Sequence, residues 1–450
     1  MAVNLLATEP TPWRTRRRDL ALALFLFTAI GVLFLRSPVH QMGDSRYALL
    51  MSDSLLRYRT PALDHYRLPD EAATPTPAGP VGHYQLESAR GHTYYYFPHG
   101  SSYLSLPYVA LMRTAGLAAA SPEGVYDAAA ERRLQTRLAA LLMAAFAAVV
   151  FAAARLLLPP RWALLIALGS ALGTPVWSTA SRALWSDTWA VLLLGFVVWL
   201  LLAEEVDGAR PRPVLLASLL AWSYLVRPTN ALAVAAVTVY FVGVHRRLAA
   251  RYLLAGATWL TLFVAYAWHL YGHPLPTYYR ASRLSLQSFG LGLATNLVSP
   301  SRGLLVLVPS VFFVAYLLTR YHSLVPAPRL VALALVVTSS HLIVVAAFPQ
   351  WWAGHCYGPR FATGLVPWLA LASIVAVRGY VSTLLRDARA PSPTRHRLEL
   401  CAGATLLAAS MFIHMKGATD WSTAEWNRHP IDVDQRPMRV WDWRHPQVLS

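Results

Sequence analysis

The stretch RRRDLALALFLFTAIGVLFLRSPVHQMGDS, residues 16 to 45, indicates the class of fold. Its arginines precede an uncharged, mostly apolar run from Leu20 to Leu35, and Arg36 follows the run. A helix needs roughly 20 mostly apolar residues to cross a bilayer, so we predict a membrane span at about 19–36. No small-residue cleavage site follows, and we therefore interpret the run as an uncleaved first span and not as a removed signal peptide.

The composition of the whole chain also indicates a membrane protein. Of its 450 residues, 56% are hydrophobic and 14% are charged, whereas soluble proteins carry about 25% charged residues. The formal net charge is +17, but the basic residues lie in short clusters between apolar segments. Such scattering argues against a nucleic-acid partner. The two cysteines, Cys356 and Cys401, fall on opposite sides in the topology below, so no disulfide framework is expected.

Further apolar segments predict an all-α integral membrane fold with about eleven transmembrane helices. Their boundaries follow from hydrophobicity alone, and several are short. The predicted spans are 19–36, 136–157, 161–178, 185–203, 213–226, 230–245, 252–271, 304–319, 330–348, 364–378 and 398–415.

The arginines orient these spans, because cytoplasmic loops carry an excess of Lys and Arg. With eleven spans, most loop arginines fall on the side of the N-terminus, which is therefore expected in the cytoplasm. The segment 101–120 contains Pro107 and Arg113. A twelfth span there would invert every later loop, so we interpret it as lying along the membrane. The first loop, 37–133, and the C-terminal tail, 416–450, are then extracytoplasmic.

Four arginines lie in or beside apolar sequence on the extracytoplasmic side, where the charge rule disfavours them. A charge at membrane depth usually faces a cavity or a partner, and a guanidinium binds two phosphate oxygens at once. One such arginine could equally be snorkelling or paired, but four predict an anionic ligand. A serine of the SPSRG turn adds a hydroxyl. The predicted phosphate ligands are Arg182, Arg227, Arg302, Arg360 and Ser301.

Asp44, near the start of the first loop, has two interpretations. Asp is among the best N-capping residues, and a helix is predicted over about 44–58. Alternatively, the carboxylate could act as a catalytic group. Asp53 lies nine residues on, about 900° of helical rotation, so the two carboxylates cannot form a dyad on one helix. Asp187, in SRALWSDT, is the best placed second acid, although a salt bridge or a cap is an equal alternative for it.

Aromatic and histidine side chains complete the candidate site. An aromatic belt is the plain interpretation of an interfacial Trp or Tyr, and interfacial hydrogen bonding is that of each histidine. No metal ligands are assigned, and a divalent cation such as Mg²⁺ or Mn²⁺ is left open as a cofactor. The predicted sugar- or acceptor-binding residues are Tyr47, Tyr96, His99, Asp187, Tyr279, Trp351, Trp352, His355 and Tyr357.

The chain contains no GxxxxGK and no HExxH, so a transferase here would need a donor that already lies in the membrane. Its first half instead combines one span, an acid before SRYALLMSDSLL, the turn YYYFPHGSSYLSLPYVAL and a span beginning RLQTRLAALLMAAFAA. This order resembles the GT-C superfamily of polytopic glycosyltransferases. The pattern is most similar to bacterial enzymes related to protein O-mannosyltransferases and to the aminoarabinose transferase of lipid A.

The resemblance implies a membrane glycosyltransferase domain over 1–415 in the bacterial cytoplasmic (inner) membrane. Its donor would be a polyprenyl-phosphate sugar, and its acceptor a lipid, glycan or protein on the extracytoplasmic face. Asp44 would be the general base or a metal-associated residue, and juxtamembrane helices at about 44–58 and 101–118 would frame the cavity. The chain departs from the family in having Asp44-Ser45 instead of Asp-Glu, and FPHG instead of a Lys-Pro-Pro turn. Both departures leave metal dependence open.

Two other functions use similar residues. A ligase or polymerase of lipid-linked glycans would use arginines and a histidine base, such as His99 or His355, with no required acid. A transporter or flippase of lipid-linked intermediates would use the same spans, but the polar residues cluster on one side and the chain lacks two inverted halves. A catalytically silent scaffold is a third alternative.

Overall fold

The computed structural model describes residues 13–69, 74–76, 79–81, 84–387 and 393–450. Helices dominate this part of the chain. The long helices are α1 Trp13–Arg36, α5 Ala128–Arg155, α7 Ser186–Asp207, α10 Ala249–Tyr271, α14 Pro328–Ala346, α15 Val366–Asp387 and α16 Pro393–Thr419. The shorter ones are α2 Ala48–Arg57, α3 Gly100–Leu104, α4 Leu106–Thr114, α6 Pro160–Leu172, α8 Pro213–Val226, α9 Ala231–Val244, α11 Phe289–Val298, α12 Leu304–Leu307, α13 Ser310–Arg320 and α17 Ser422–Glu425.

Two small antiparallel hairpins belong to the first loop. In one, β1 Thr74–Thr76 pairs with β2 Gly79–Val81, and in the other β3 Leu86–Ala89 pairs with β4 His92–Tyr95. The second hairpin places Leu86 opposite Tyr95. Its aromatic β4 strand leads into α3 and so brings the first loop against the helices.

Seven helices in the described ranges are long and apolar enough to cross a membrane. This finding confirms a multi-pass, all-α membrane protein. The four other predicted spans, at 161–178, 213–226, 230–245 and 304–319, coincide with apolar helices of 10–17 residues. A helix of that length alone falls short of the roughly 20 residues that a bilayer requires, so the count of eleven stays a prediction.

Helix α5 is central to the packing, with α1, α6 and α7 against it. Small residues allow the close approach, as is usual between membrane helices. A Cβ at Gly31 of α1 would lie 3.6 Å from Ala144 of α5, and a Cβ at Gly195 of α7 would lie 2.9 Å from the Phe146 ring. The small residues at these contacts therefore allow α1 and α7 to pack closely against α5.

The first loop contains the two expected juxtamembrane helical regions, with different bounds. The region predicted at 101–118 is divided into α3 and α4 at Ser105. The region predicted at 44–58 begins only at Ala48, because Tyr47 has a left-handed backbone with φ of 74°. Glu131 of α5 caps this helix by accepting from the backbone amides of Tyr47 at 3.0 Å and Leu49 at 2.8 Å. The capping interpretation of Asp44 is therefore wrong, and its carboxylate is used elsewhere.

The C-terminal tail is ordered after α16. It turns through α17 and packs Trp426, Val433 and Val440 against Trp351, which lies in the segment between α14 and α15. Because this contact buries two tryptophans, the tail forms a strap over that segment, as we expected from its aromatic residues.

Candidate functional site

The Asp44 carboxylate forms an ion pair with the guanidinium of Arg360. Oδ2 of Asp44 accepts a hydrogen bond from Arg360, and the two side chains are 26% and 14% exposed. Arg360 begins the turn Arg360–Leu365 that leads into α15. The pair therefore joins the first loop to the segment before α15, at a position that solvent still reaches.

Aromatic side chains hold both members of this pair. The Arg360 guanidinium lies 3.9 Å above the ring of Trp185, a cation–π geometry. Tyr84 donates to Oδ1 of Asp44 at 3.4 Å, and Tyr95 donates to its backbone carbonyl at 2.6 Å. Burial, together with the charge of Asp44, raises the pKa of Tyr95 well above its usual value, so the phenol stays protonated and remains a donor.

A second ion pair lies next to the first. Asp187, at the start of α7 and fully buried, accepts from Arg227 with Oδ2 at 2.5 Å. Arg227 also donates to Ser186 at 3.0 Å and to Thr229 at 3.1 Å. A Cβ at Gly364, in the turn that Arg360 begins, would lie 3.7 Å from Oδ1 of Asp187 and 4.0 Å from Nε of Arg227. The two pairs therefore lie against the same turn, and their four charges balance.

Several buried polar atoms around these pairs have no hydrogen-bond partner within the described residues. A buried polar atom without a partner costs about 1–3 kcal/mol, and such atoms are rare in native proteins. Five of them belong to the two pairs or to residues beside them in the chain or in contact with them. They are Oδ1 of Asp187, Nε of Arg360, Nε1 of Trp185, Oγ1 of Thr363 and Oγ of Ser45.

An aromatic cavity of about 220 Å³ lies between the first loop and helices α8 and α10. Tyr96, His99 and Tyr279 line it with Trp222, Trp259 and Leu262. Phe97, another lining residue, packs 6.1 Å from the ring of Tyr84, which itself donates to Asp44. Three predicted binding residues therefore line this one cavity, and two aromatic rings separate it from the ion pairs.

His99 is fully engaged at the wall of this cavity. Its Nε2 bonds the carbonyl of Tyr95 at 2.6 Å, and its Nδ1 bonds the hydroxyl of Tyr266 at 2.7 Å. The carbonyl can only accept, so Nε2 carries the proton and Nδ1 accepts from Tyr266. Burial lowers the pKa of His99 to about 4. The ring is therefore neutral and orients the cavity wall.

Arg182 and Tyr47 lie in the protein interior, away from solvent. The Arg182 guanidinium donates to the carbonyls of Phe34 at 2.6 Å and Ser37 at 2.7 Å. Phe34 lies in the last turn of α1 and Ser37 directly follows the helix, so Arg182 satisfies a carbonyl that the helix end leaves unpaired. Burial lowers the pKa of Arg182 to about 9. Tyr47 is fully buried and packs on Tyr126 at 4.9 Å.

Arg302 and Ser301, of the SPSRG turn, bind the C-terminal tail. Arg302 donates to Oδ1 of Asn427 at 2.9 Å and to the carbonyl of Trp352 at 2.9 Å, and it also bonds the side chain of Gln447. The Ser301 hydroxyl accepts from the backbone amide of Gln447 at 3.1 Å. Burial lowers the pKa of Arg302. The turn that we predicted as a phosphate site is thus filled by tail residues.

The remaining predicted residues lie in the segment between α14 and α15. Trp351 is buried in the cluster with the tail, and Trp352 donates through Nε1 to Asp434 at 2.6 Å. Tyr357 is almost fully buried and donates to the carbonyl of Ile413 at 2.7 Å. His355 bonds Asp432 of the tail at 2.9 Å. Trp351, Trp352 and His355 therefore hold the tail in place, whereas Tyr357 is bonded to α16.

A divalent metal at Asp44, which a GT-C glycosyltransferase could carry, does not fit the residues around that carboxylate. Hard cations are held by several oxygen ligands. Both oxygens of Asp44 already accept, from Arg360 and Tyr84, and the second acid, Asp187, is paired with Arg227. The two arginines already neutralise both carboxylates, so no net negative charge remains here to attract a metal ion.

Sequence reasoning identified the four charged residues of the two ion pairs but missed their surroundings. Trp185 stands two residues before Asp187 in SRALWSDT, and that adjacency was the available signal. Tyr84 and Tyr95 come from the hairpin region of the first loop, where nothing in the pattern pointed to Asp44. Comparison of the chain with protein-family models, with curated proteins and with solved structures finds no match.

Proposed function

We propose that this protein is a membrane glycosyltransferase that moves a sugar from a polyprenyl-phosphate donor to an acceptor on the extracytoplasmic face. The observation that carries the proposal is the partly exposed Asp44–Arg360 pair, around which polar atoms of Arg360, Asp187 and Trp185 have no hydrogen-bond partner among the described residues. Buried polar groups that lack hydrogen-bond partners are expected at functional sites, where a ligand can supply the missing bonds.

Arg360 and Arg227 are the phosphate ligands in this proposal. Arg360 is held by its stacking on Trp185, and its buried Nε has no acceptor among the described residues, so a phosphate oxygen that reached it would satisfy this donor. Arg227 adds a second positive charge through the neighbouring pair with Asp187. Positively charged donors placed where charge develops on a leaving phosphate stabilise the transition state.

The aromatic cavity supports a lipid-linked donor. Its lining residue Leu262, on α10, has 55% of its surface exposed, and α10 is one of the helices able to cross a membrane. The cavity can therefore be entered from the side of the bilayer. The first isoprene units would lie against its aromatic rings, and the phosphate would reach Arg360 past Phe97 and Tyr84.

Asp44 is the general base of the reaction. While Arg360 holds its carboxylate, Asp44 is not free to take a proton, and a donor phosphate that binds Arg360 would release it. Asp44 then accepts the proton of the acceptor hydroxyl as that oxygen bonds to the anomeric carbon. The bond from the anomeric carbon to the phosphate oxygen breaks, and polyprenyl phosphate leaves with the electron pair. A single displacement inverts the anomeric configuration.

The topology that suits this reaction is the predicted one. Eleven spans within residues 1–415 would leave the N-terminus in the cytoplasm, and the first loop and the tail from 416 would be extracytoplasmic. The GT-C likeness of the first loop implies the same orientation, in a bacterial inner membrane. The acceptor is then a lipid, a glycan or a protein at that face.

The direct test supplies a radiolabelled polyprenyl-phosphate sugar and candidate acceptors to the purified protein in detergent. We expect release of polyprenyl phosphate and transfer of label, whereas the matching unphosphorylated prenyl glycoside should neither bind nor react. A second assay, in reconstituted vesicles, distinguishes a transferase from a transporter or flippase of the donor. Movement of intact donor between leaflets without sugar release would overturn the transferase proposal, as would the absence of both binding and turnover with every donor.

A further inference from the structure

Three side chains with metal-ligand atoms meet where the tail crosses the segment before α15. His355 comes from that segment, and Asp432 and Asp434 come from the tail. Nε2 of His355 lies 2.9 Å from Oδ1 of Asp432 and 3.6 Å from Oδ2 of Asp434. All three ligand atoms lie within 4.8 Å of one another. Residues from two distant parts of the chain therefore point at one small volume.

The separations fit one divalent ion. Zinc and manganese bind imidazole nitrogen and carboxylate oxygen at about 2.0–2.2 Å. Ligand atoms around such an ion are then about 3 Å apart at right angles and about 3.4 Å apart in a tetrahedron. The two distances from His355 lie close to these values, and the two carboxylate oxygens, which lie within 4.8 Å of each other, would move together on one ion.

Neighbouring groups orient the carboxylates. Trp352 donates to Oδ1 of Asp434 at 2.6 Å, which leaves Oδ2 towards His355. The backbone amide of Asp434 donates to Oδ1 of Asp432 at 2.8 Å. Partners of this kind fix ligand orientation in metal sites. The His355, Asp432 and Asp434 side chains are 33%, 30% and 51% exposed, so an ion can enter and water can fill its remaining positions.

We propose that His355, Asp432 and Asp434 bind a divalent transition-metal ion, Zn²⁺ or Mn²⁺. One imidazole with two carboxylates suits these ions better than Mg²⁺ or Ca²⁺, which prefer oxygen alone. His355 lies within 4 Å of both carboxylates and can offer them at most one positive charge, whereas a divalent ion would offer two. The ion would therefore balance both carboxylates.

The bound ion fastens the tail to the segment that carries Arg360. His355 stands five residues before Arg360, and Arg302 from the SPSRG turn bonds the same segment and the tail. The ion therefore acts as a positioning element for the loop that reaches Asp44. This inference does not depend on the transferase proposal, because metal binding is measured without substrate.

The test is a binding measurement on the full-length protein after chelator treatment. Mn²⁺ binding is followed by electron paramagnetic resonance and Zn²⁺ binding by calorimetry. We expect one ion per chain, with affinity at least tenfold weaker in Asp434→Asn and in His355→Gln. Asp434→Asn keeps an oxygen acceptor for Trp352 at a side chain that is half exposed, so the variant should fold.

Asp442→Asn is the matched control. Asp442 lies in the same tail and contacts His445 at 3.3 Å, and neither residue belongs to the three-ligand group. Its affinity for metal should equal that of the parent. Three outcomes would each overturn the proposal. Asp442→Asn could lose affinity for metal to the same extent as Asp434→Asn, the parent and Asp434→Asn could bind equally well, or the parent could fail to bind one ion per chain. Loss in Asp44→Asn alone would place the ion at Asp44 instead.

Discussion

Asp44 and Arg360 form an ion pair across 316 residues of sequence, and this contact joins the first loop to the segment before α15. Glu131 caps α2 in place of Asp44, which releases the Asp44 carboxylate for this pair. The stacking of Arg360 on Trp185 connects the pair to the start of α7. The first loop, the start of α7 and the segment before α15 are therefore in contact at this point.

The buried Asp187–Arg227 pair should behave as a unit in stability measurements. Arg227→Met leaves a fully buried carboxylate without its cation, and breaking such a pair costs about 3–5 kcal/mol. The double variant Asp187→Leu/Arg227→Met removes both charges and should recover part of that loss. Thermal unfolding in detergent, followed by tryptophan fluorescence, measures the double variant and the single variants Arg227→Met and Asp187→Leu. A double variant that is as unstable as the sum of the two single variants would contradict this account.

Arg302→Ala should loosen the tail. The substitution leaves the side chains of Asn427 and Gln447 without the guanidinium that they accept from, at a cost of at least about 2 kcal/mol. Limited chymotrypsin digestion should then cleave at Trp441 and Trp443 faster than in the parent. Arg444→Ala, at an exposed tail position, should leave the rate unchanged. If Arg302 instead held phosphate, its loss would weaken donor binding and spare the tail.

His99 should make stability depend on pH. Burial lowers its folded pKa to about 4 from 6.5, so between these values the unfolded chain binds more protons than the folded one. Stability is then fully present above pH 6.5 and falls as the pH falls towards 4, by at most about 3 kcal/mol. His99→Gln keeps one donor and one acceptor but does not titrate. The fall in thermal midpoint on acidification should be smaller in this variant, and equal slopes would refute the assignment.

The aromatic cavity should discriminate donors by their lipid. Leu262→Trp fills the cavity entrance, whereas Leu260→Trp on the same helix is equally exposed, at 55%, and does not line the cavity. We expect Leu262→Trp to raise KM for a long-chain polyprenyl-phosphate sugar at least tenfold, with little change in kcat. Leu260→Trp should match the parent. Equal KM values in the two variants would exclude the cavity as the lipid site.

Periodicity and charge predicted much of this fold, because a bilayer imposes strong length and composition requirements on its helices. Helix α1 and the juxtamembrane helices lie close to their predicted places. The partners of the buried arginines could not be predicted, because a buried arginine has the same sequence context whether it binds a ligand, a carboxylate or a helix end. Arg360 and Arg182 illustrate this: the first meets Asp44, and the second meets carbonyls at the end of α1.

The helix start at Ala48 could not be read from the sequence either. Its cap comes from Glu131, which is distant in the chain, and only the tertiary fold brings it to Leu49. The tail presents a similar case, because the contacts of Arg302 with Asn427 and Gln447 leave no local pattern at the SPSRG turn. Long-range polar contacts therefore decided which predicted residues came together.

The most direct test of the transferase account measures sugar transfer from a polyprenyl-phosphate donor by the parent, Asp44→Asn and Asp64→Asn. Asp64 is a partly exposed acid of the same loop that pairs with His92 at 2.7 Å, so its variant controls for loss of charge alone. Removing a general base costs about 10²–10⁴ in rate, and we predict that loss in kcat for Asp44→Asn, with donor binding retained and Asp64→Asn active. Full activity of Asp44→Asn would contradict the account.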